Sequence, residues 1–363
     1  MVRLQRELTA HWALNRHRGR GPLAVFLPSA GRTGAALLRI YNIVDRCHAH
    51  GWRAFAISPK LSLAARSRLI AAARPDVLVM QGARHPLNRP WLYPDQPILF
   101  DMDDADFHLP HLEAPLRRAM PHVAAVVAGS EYIARWSRVM GAAQTHTLLT
   151  GMPVSSGPRV PQTQRAPIVA WAQTRPMTYH REAAFVLKVM AGLVRRCPDV
   201  RLRLYDRLPE DDLAFLTPFK AAGITVDWRP RLPFARYLTS FDDVALGLAP
   251  LSLTTPFSRG KSVGKVLAYM DRHVPIIASE AGEHRRVIQP GAGILSNDPD
   301  VWIAEAAALL ADPGRRQTMA ERAFERFQST LSDDAVARRM VRIFNGQVSE
   351  QHPPGDGGGC RVH

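Results

Sequence analysis

The chain of 363 residues is 46% hydrophobic and 22% charged, a balance that is typical of two globular domains and excludes a disordered or fibrous protein. Its formal net charge of +15 favours an anionic partner, but the arginine pairs are scattered without interleaved aromatic residues, so we do not expect nucleic acid. Three cysteines without metal-ligand spacing argue against structural zinc, and no apolar run approaches the roughly 18 residues of a membrane-spanning helix, so we expect a cytoplasmic protein.

Residues 1–20 form a basic extension without the apolar core of a signal peptide. Leu4, Leu8 and Trp12 recur at the spacing of one helical face. Such a helix could lie peripherally against anionic lipid headgroups at the inner face of the membrane. A frayed N-terminal helix would show the same pattern, so both interpretations stay open.

Residues 21–155 alternate apolar strands with helical patterns, which predicts a Rossmann-like domain with a parallel sheet covered on both faces. The first elements form a βαβ unit: strand 23–27, loop 28–34, helix 35–50 and strand 52–57. Its loop contains Gly31 and Gly34, a Gly-x-x-Gly pattern that does not match the dinucleotide-binding fingerprint. Further strands are predicted at 76–80, 98–100 and 124–128, and helices at 61–73, 114–120 and 130–140.

Residues 156–167 are rich in proline and polar residues, which predicts an interdomain linker. The alternation then resumes and predicts a second Rossmann-like domain over 168–330. Its strands are predicted at 168–172, 200–205, 225–228, 244–248, 276–279 and 293–295. Its helices are predicted at 182–196, 211–222, 234–239, 282–289, 299–310 and 313–327, and one more helix is predicted to start near residue 262. A last helix within 331–346 could pack back on the first domain, and the Gly-rich tail 347–363 is expected to be disordered. Two such domains predict an α/β fold with a ligand at the carboxyl ends of the strands.

The segment after strand 244–248 carries two of the chain's five lysines, Lys261 and Lys265. A helix that starts near Ser262 would place both lysines on one side, beside the unpaired N–H groups of its first turn. Gly260 would let an anion approach the backbone closely, and Arg259 adds a further positive charge. This pattern predicts a diphosphate site, although a solvated basic helix start would look the same. The segment lacks the first glycine of a Walker A loop, which excludes that motif.

Several segments, in their order along the chain, resemble family 4 glycosyltransferases of the GT-B fold. They are residues 243–251, 256–262 with Lys265, 274–279 with Gly282, 302–310, 312–313 and 316–323. Residues 100–105 and 126–132 are similar to a branch of that family with an acidic D-x-D-D motif. The resemblance implies a GT-B architecture, in which two Rossmann-like domains face each other across a cleft. It also implies transfer of a sugar from a nucleotide diphosphate sugar to an acceptor hydroxyl, with retention of configuration and without a metal or other cofactor.

The resemblance also implies roles for individual residues. The residues implied to bind the donor are Gly31, Gly34, Arg259, Gly260, Ser262, Val263, Lys265, Gly282 and Glu283. Lys261 would hold the donor diphosphate together with them. Arg175 resembles an arginine that neutralises the leaving phosphate, where negative charge gathers as the glycosidic bond breaks.

Asp103 stands where many relatives have a histidine, so the resemblance implies that it contacts the donor sugar or orients the acceptor hydroxyl. A structural role, in which Asp103 caps a turn, stays open as well. The acceptor would be a glycan, a lipid or another hydroxyl compound used in polysaccharide, glycolipid or glycoconjugate synthesis. Its site would lie in variable loops of the first domain, such as residues 81–96.

One departure from the family pattern concerns two glutamates eight residues apart, which are replaced here by Gly260 and Ala268. Neither residue can bind a ribose hydroxyl through its side chain, so Tyr269 or Glu283 would have to compensate. Two alternatives therefore stay open beside the transferase. One is a non-catalytic glycosyltransferase-like subunit. The other is a sugar-nucleotide epimerase, whose chemistry needs paired carboxylates or a histidine over the sugar.

Overall fold

A computed structural model of the chain describes residues 20–206 and 213–351, which form two compact α/β units. The first unit ends at Gly151 and resumes at Asp333, and the second spans Met152–Ser332. The predicted amphipathic face of Leu4, Leu8 and Trp12 lies outside the described residues, as does the end of the chain from residue 352. Among the helices of the described part, none is long and apolar enough to cross a membrane.

The first unit is built on a six-stranded parallel sheet with the strand order β2-β1-β3-β4-β5-β6. Its strands are β1 (Leu23–Leu27), β2 (Arg53–Ala56), β3 (Val77–Gln81), β4 (Ile98–Met102), β5 (Ala125–Ala128) and β6 (Thr145–Thr147). The helices between them are α1 (Gly34–Ala36), α2 (Asn42–Cys47), α3 (Leu63–Ala73), α4 (Pro110–Ala119) and α5 (Glu131–Val139). A π-helical turn, Leu37–Tyr41, joins α1 to α2 without a break.

Both faces of the first sheet are buried, as the apolar strand runs predict. In β1, Leu23, Val25 and Leu27 pack into the core on one face. Ala24 and Phe26 pack into the core on the other face, so every residue of the strand is buried. A strand buried on both faces has no reason to alternate polar and apolar residues, and this explains its continuous apolar run.

The second unit is also built on a six-stranded parallel sheet, in the order β12-β11-β10-β7-β8-β9. Its strands are β7 (Ala166–Trp171), β8 (Arg201–Tyr205), β9 (Thr225–Arg229), β10 (Val244–Ala249), β11 (Ile276–Ala278) and β12 (Ile294–Leu295). Its helices are α6 (His180–Val194), α7 (Leu213–Ala221), α8 (Phe234–Thr239), α9 (Pro256–Arg259), α10 (Gly264–Asp271), α11 (His284–Val287), α12 (Pro299–Ala311) and α13 (Pro313–Thr330). The prediction of two Rossmann-like parallel sheets is therefore confirmed.

The last helix, α14 (Asp333–Gln351), packs on the first sheet. The ring of Phe344 lies 4.9 Å from that of Trp52, whose indole nitrogen donates a hydrogen bond of 2.9 Å to Asn345. The helix continues into residues 347–351, where the sequence predicts a disordered tail. The side chain of Gln347 is buried there and donates to Gln144 at 2.9 Å, which explains the extension.

Residues 156–167, predicted as a linker, lie within the second unit and are bound to it. The Arg159 guanidinium donates to the Asp271 carbonyl at 2.7 Å, and Arg165 donates to the Arg272 carbonyl at 2.8 Å. Gln162, which lies between these two arginines in the sequence, is also buried. The sequence predicts an interdomain linker here, and in the structure arginine and glutamine side chains attach the segment to residues 271–273 of the second unit.

Candidate functional site

The loops that follow β7, β8, β10 and β11 lie at one edge of the second sheet, because the carboxyl ends of parallel strands meet at the same edge. Hydrogen bonds connect these loops. The Arg175 N–H after β7 donates to the Asp206 carboxylate after β8 at 2.6 Å. The Leu251 N–H after β10 donates to the Ser279 hydroxyl after β11 at 2.9 Å.

The predicted diphosphate segment forms what we call the basic loop, residues 250–263, between β10 and α10. Its short helix α9 ends in tight turns, in which the N–H groups of Gly260 and Lys261 donate to the carbonyls of Phe257 and Ser258 at 3.3 Å. The next helix therefore begins at Gly264, two residues later than the predicted start at Ser262. Val263 precedes it with φ −90° and ψ 11°. The first N–H groups of α10 follow directly after the basic loop.

The two lysines have different neighbours. The Lys261 ammonium lies 5.1 Å from the ring centroid of Phe257 and 5.7 Å from that of Tyr179, within the range of cation–π attraction. Lys265 lies in the first turn of α10, close enough to act on His284. Burial first, and then the charge of Lys265, lower the pKa of His284 to about 4, so this imidazole is neutral at pH 7. Both lysines are half-buried.

A buried carboxylate supports the basic loop from the side. One carboxylate oxygen of Glu182, in the first turn of α6, accepts hydrogen bonds of 2.9 Å from the Ser252 N–H and from the Ser258 hydroxyl. Glu182 is 5% exposed. The sequence does not predict this role for Glu182, because its one signal is a glutamate at the start of a largely apolar helix.

Gly282 and Glu283 lie beside the basic loop, in the turn before α11. Gly282 has a φ of +52°, and a Cβ there would lie 3.3 Å from the Arg259 carbonyl oxygen. Glycine therefore permits both the left-handed backbone and the close approach of the two loops. Glu283 is buried, and its carboxylate lies 3.2 Å from the Arg286 guanidinium. The structure thus brings the backbones of Arg259 and Gly282 together.

Arg175 also lies at this edge, with an exposed side chain and a left-handed backbone at φ +50°. A left-handed arginine is uncommon and is held here by hydrogen bonds on both sides. Its N–H donates to Asp206, and its carbonyl accepts from the N–H and the hydroxyl of Thr178 at 2.9 Å.

Tyr269 does not fit the ribose-binding role that was left open for it. The residue is fully buried, and its hydroxyl lies 2.9 Å from the Ala170 carbonyl, 3.2 Å from the Leu248 carbonyl and 2.9 Å from the Ala172 N–H. Burial raises its pKa well above the usual value. Ala268 is fully buried as well. The side chains at these two positions therefore belong to the interior of the second unit.

In the first unit, a second set of polar residues lies at the carboxyl end of β4. We call residues 101–106 the acidic loop. The guanidinium of Arg39 lies 3.1 and 3.3 Å from the two carboxylate oxygens of Asp101. Arg84 binds Asp104 at 3.0 Å and Asp106 at 2.6 Å. These carboxylates are nearly buried, and each has an arginine partner.

Asp103 has a different environment. Its carboxylate accepts a 2.6 Å hydrogen bond from the Thr150 hydroxyl, and the Nε of Arg39 is 4.0 Å away. Burial first, and then the neighbouring Asp104, raise the pKa of Asp103 to about 6. Asp103 lines a small depression together with Ser29, Ala35, Gln81, Gly82, Arg84 and other residues of the acidic loop. Among the described residues, no group of three or more His, Cys, Asp or Glu side chains is arranged to hold a metal ion.

Gly31 and Gly34 lie in the exposed loop that leads from β1 to α1, next to two residues of this depression. Gly34 opens the helix with a φ of +51°, and neither glycine has an atom within 4 Å of the place of a Cβ. The structure thus groups Gly31, Gly34 and Asp103 at one edge of the first sheet, and Arg175 with the basic-loop residues at one edge of the second. Their roles in binding stay predictions.

No protein-family model matches the sequence, and none of the curated proteins matches it. Solved structures do match. The chain is similar to sucrose-phosphate synthase from Thermosynechococcus elongatus, with 14% identity, a TM-score of 0.69 and coverage of 91% of this chain and 100% of that one. It is similar to HepE of Anabaena in complex with UDP and glucose, with 13% identity, a TM-score of 0.66 and coverage of 90% and 100%.

A third similar structure is a putative UDP-N-acetylglucosamine 2-epimerase from Listeria monocytogenes, with 14% identity, a TM-score of 0.59 and coverage of 91% of this chain and 98% of that one. At such low identities the likeness establishes the fold. The predicted GT-B fold is confirmed, whereas family 4 membership stays a prediction.

Proposed function

We propose that the protein is a glycosyltransferase that moves a sugar from a nucleotide diphosphate sugar to an acceptor hydroxyl. The observation that supports this most strongly is the basic loop at the carboxyl edge of the second sheet. Arg259 and Lys261 are presented there on a loop that buried Glu182 and close-packed Gly282 hold in place. In HepE, a protein of the same fold, the structure was solved with UDP and glucose.

The donor diphosphate would bind between Arg259, Lys261 and the N-terminus of α10, with Lys265 adding charge from the next turn. A helix N-terminus and nearby cations attract an anion through the same electrostatic field. As the glycosidic bond breaks, negative charge gathers on the departing diphosphate. Groups positioned before the reaction stabilise that charge without reorganising, and Arg175 would contribute to this from the loop after β7.

The first unit would supply the acceptor side, where Asp103 accepts a hydrogen bond from the acceptor hydroxyl. Its side chain is 10% exposed, whereas that of Asp101 is fully buried against Arg39. Membership of family 4, a retaining reaction and independence of a metal ion form part of this proposal through the sequence resemblance. The acceptor would be a glycan, a lipid or another hydroxyl compound.

Two further functions have specific observations in their favour. The absence of the family glutamates at Gly260 and Ala268, together with the burial of Tyr269, favours a non-catalytic subunit. The similarity to the putative epimerase of Listeria monocytogenes favours epimerisation of a sugar nucleotide. Product analysis after incubation with labelled nucleotide sugars separates the three functions. A transferase makes a glycoside or slowly hydrolyses the donor, an epimerase makes an isomeric nucleotide sugar, and a non-catalytic subunit leaves the nucleotide sugar unchanged.

Donor binding is tested by melting the protein with nucleoside diphosphates and nucleotide sugars. A ligand at 100 times its Kd adds about 2.7 kcal/mol to the free energy of unfolding. We expect one nucleotide class to raise the melting temperature of the wild type and to lose most of this effect with Lys261→Ala. Lys188→Ala, on the exposed side of α6, is the matched control and should respond like the wild type. If no nucleotide raises the melting temperature, the donor-site proposal fails.

We also propose peripheral membrane contact through the basic extension. The arginine-rich sequence of residues 1–20 supports it. Co-sedimentation with anionic phosphatidylglycerol vesicles, compared with a variant that lacks residues 1–19, tests it. Equal sedimentation of both proteins would contradict this role.

A further inference from the structure

Arg39 is a fully buried arginine that connects three segments of the first unit. It lies in the π-helical turn Leu37–Tyr41 and is 1% exposed. Its guanidinium binds Asp101 with Nε and Nη2, and its Nη1 donates to the Leu148 carbonyl at 2.5 Å. The π-helical turn, the end of β4 and the segment after β6 are therefore joined by one side chain. π-helical turns are rare and are often found at functional sites.

The segment that Arg39 holds at Leu148 also carries Thr150, which is 1% exposed. The Thr150 hydroxyl donates to Asp103 at 2.6 Å, and Arg39 itself lies 4.0 Å from the same carboxylate oxygen. The other guanidinium of the region, that of Arg84, is bound to Asp104 and Asp106. The neutral Thr150 hydroxyl thus positions Asp103. The nearby positive charge, that of Arg39, is bound to the carboxylate of Asp101.

We propose that Arg39 is a positioning residue for Asp103: it holds Asp101 and the Thr150 segment in place, and its charge keeps the Asp103 carboxylate ionised and available to a hydroxyl. The availability to an acceptor hydroxyl rests on the proposed function. The positioning itself does not, because it follows from contacts within the first unit.

The charges and hydrogen-bonding groups that face Asp103 define the expected direction. Burial, the charge of Asp104 and the charge of Asp101 favour the protonated form. Arg39, from the π-helical turn, and the hydroxyl of Thr150, from the segment after β6, favour the ionised form. The influence of Arg39 exceeds that of Asp101, so removal of both should still raise the pKa of Asp103 above its value of about 6.

The test follows the Asp103 carboxyl directly. Protein with ¹³C-labelled aspartate carboxyls is titrated by NMR, and the Asp103 resonance is assigned by its loss in Asp103→Asn. In Arg39→Met, we expect the Asp103 midpoint to rise by roughly one pH unit, the lower end of the effect of a nearby opposite charge. The matched control is Arg66→Met. Arg66 is equally buried in the same unit, but it binds Asn88 and the Pro59 carbonyl, and the Asp103 midpoint should stay unchanged.

A second variant covers the case that Arg39→Met leaves Asp101 buried without a partner and unfolds the unit. The double variant Arg39→Met/Asp101→Asn removes both charges, and the Asp103 midpoint should rise here as well. The proposal is overturned if a folded Arg39 variant titrates Asp103 at the wild-type midpoint. It is equally overturned if Arg66→Met shifts the midpoint as much, since that would indicate general loosening of the unit.

The titration contains no nucleotide, so its outcome is independent of donor binding. If the melting experiment fails with every nucleotide but the Asp103 midpoint rises, the positioning role stands and glycosyl transfer does not. Where hydrolysis of UDP-glucose is measurable, the acidic limb of its pH profile should shift to higher pH in Arg39→Met, in parallel with the Asp103 titration.

Discussion

At the scale of single residues, Tyr269 shows how a polar group near a candidate site can belong to the core. Its hydroxyl has three backbone partners, from β7, from β10 and from the residue after β7. A Cβ at position 247 would lie 2.6 Å from the Tyr269 ring, so Gly247 gives the ring its space. The tyrosine thereby links α10 to two central strands of the second sheet.

Removal of this hydroxyl should reduce stability and leave nucleotide affinity unchanged. In Tyr269→Phe, the Ala172 N–H loses its acceptor in a buried place, which costs about 1–3 kcal/mol. Urea unfolding measures that loss, and calorimetry of the folded protein with UDP measures the affinity. Wild-type stability combined with weaker UDP binding would instead indicate that the hydroxyl contacts ribose.

Arg39 shows what could and could not be predicted at this scale. Its sequence signal is a single arginine among Leu37, Leu38 and Ile40, in a helix whose apolar residues pack on the sheet. Such a charge inside an apolar pattern indicates a buried partner of opposite sign. The sequence does not say which of the aspartates in the acidic loop is that partner, because the choice depends on the π-helical turn.

At the scale of elements, the basic loop depends on α6 for its position. Glu182 accepts two hydrogen bonds from the loop, so Glu182→Ala should leave the loop without its lateral support. We expect the free energy of UDP binding to weaken by about 1.4 kcal/mol, which corresponds to a roughly tenfold higher Kd. Calorimetry measures this Kd. Glu182→Gln keeps an acceptor oxygen at the same place and should bind nearly as the wild type does.

Glu321→Ala removes an exposed glutamate of the same unit and controls for the change in net charge. An unchanged Kd in Glu182→Ala would show that the loop holds its shape without α6. Equal weakening in Glu182→Gln would show that the charge of Glu182, and not its role as an acceptor, is what matters.

Element boundaries were predictable where burial alone decides them and were missed where turns decide them. The apolar runs of β1 and β10 are buried throughout, and the sequence predicts both strands. β6 was missed because Thr145–Thr147 is short, polar and half-buried. The start of α10 was misplaced by two residues because α9 and its turns already use the backbone up to Lys261.

The helix α14 should stabilise the first unit. Phe344 is fully buried against Trp52 and Phe26, so Phe344→Ala should cost about 3–5 kcal/mol. Hydrogen exchange should accelerate in β1 and β2 and stay unchanged in β7. Arg342→Ala, at an exposed position of the same helix, should have little effect. Acceleration in both sheets would contradict the assignment of α14 to the first unit.

At the scale of the whole molecule, the two-unit organisation was predictable because each sheet consists of apolar strands that alternate with helices. The site contacts were not. Glu182 and Ser258 are 76 residues apart, and Arg39 and Asp101 are 62 residues apart. Periodicity places a residue on a face of its element, but it does not specify which loop conformation meets that face.

Acid should destabilise the second unit through His284. This histidine is buried and neutral, with a pKa lowered to about 4 chiefly by burial, whereas an unfolded chain has the ordinary value of 6.5. Between these two values the unfolded state binds the proton and the folded state does not, so the free energy of unfolding falls as the pH falls from 6.5 towards 4. From pH 7 to pH 5 the loss should be roughly 2 kcal/mol.

Hydrogen exchange of peptides that cover residues 276–295, measured at pH 7 and pH 5 after correction for the intrinsic exchange rate, reports this loss locally. In His284→Gln the amide can still donate to the Ser279 carbonyl, which His284 binds at 2.9 Å, but it does not titrate. The fall in protection between the two pH values should therefore be smaller by about 2 kcal/mol in this variant. An equal fall in both proteins would place the acid sensitivity elsewhere, and His273, whose pKa is also lowered to about 4 chiefly by burial, would be the next residue to replace.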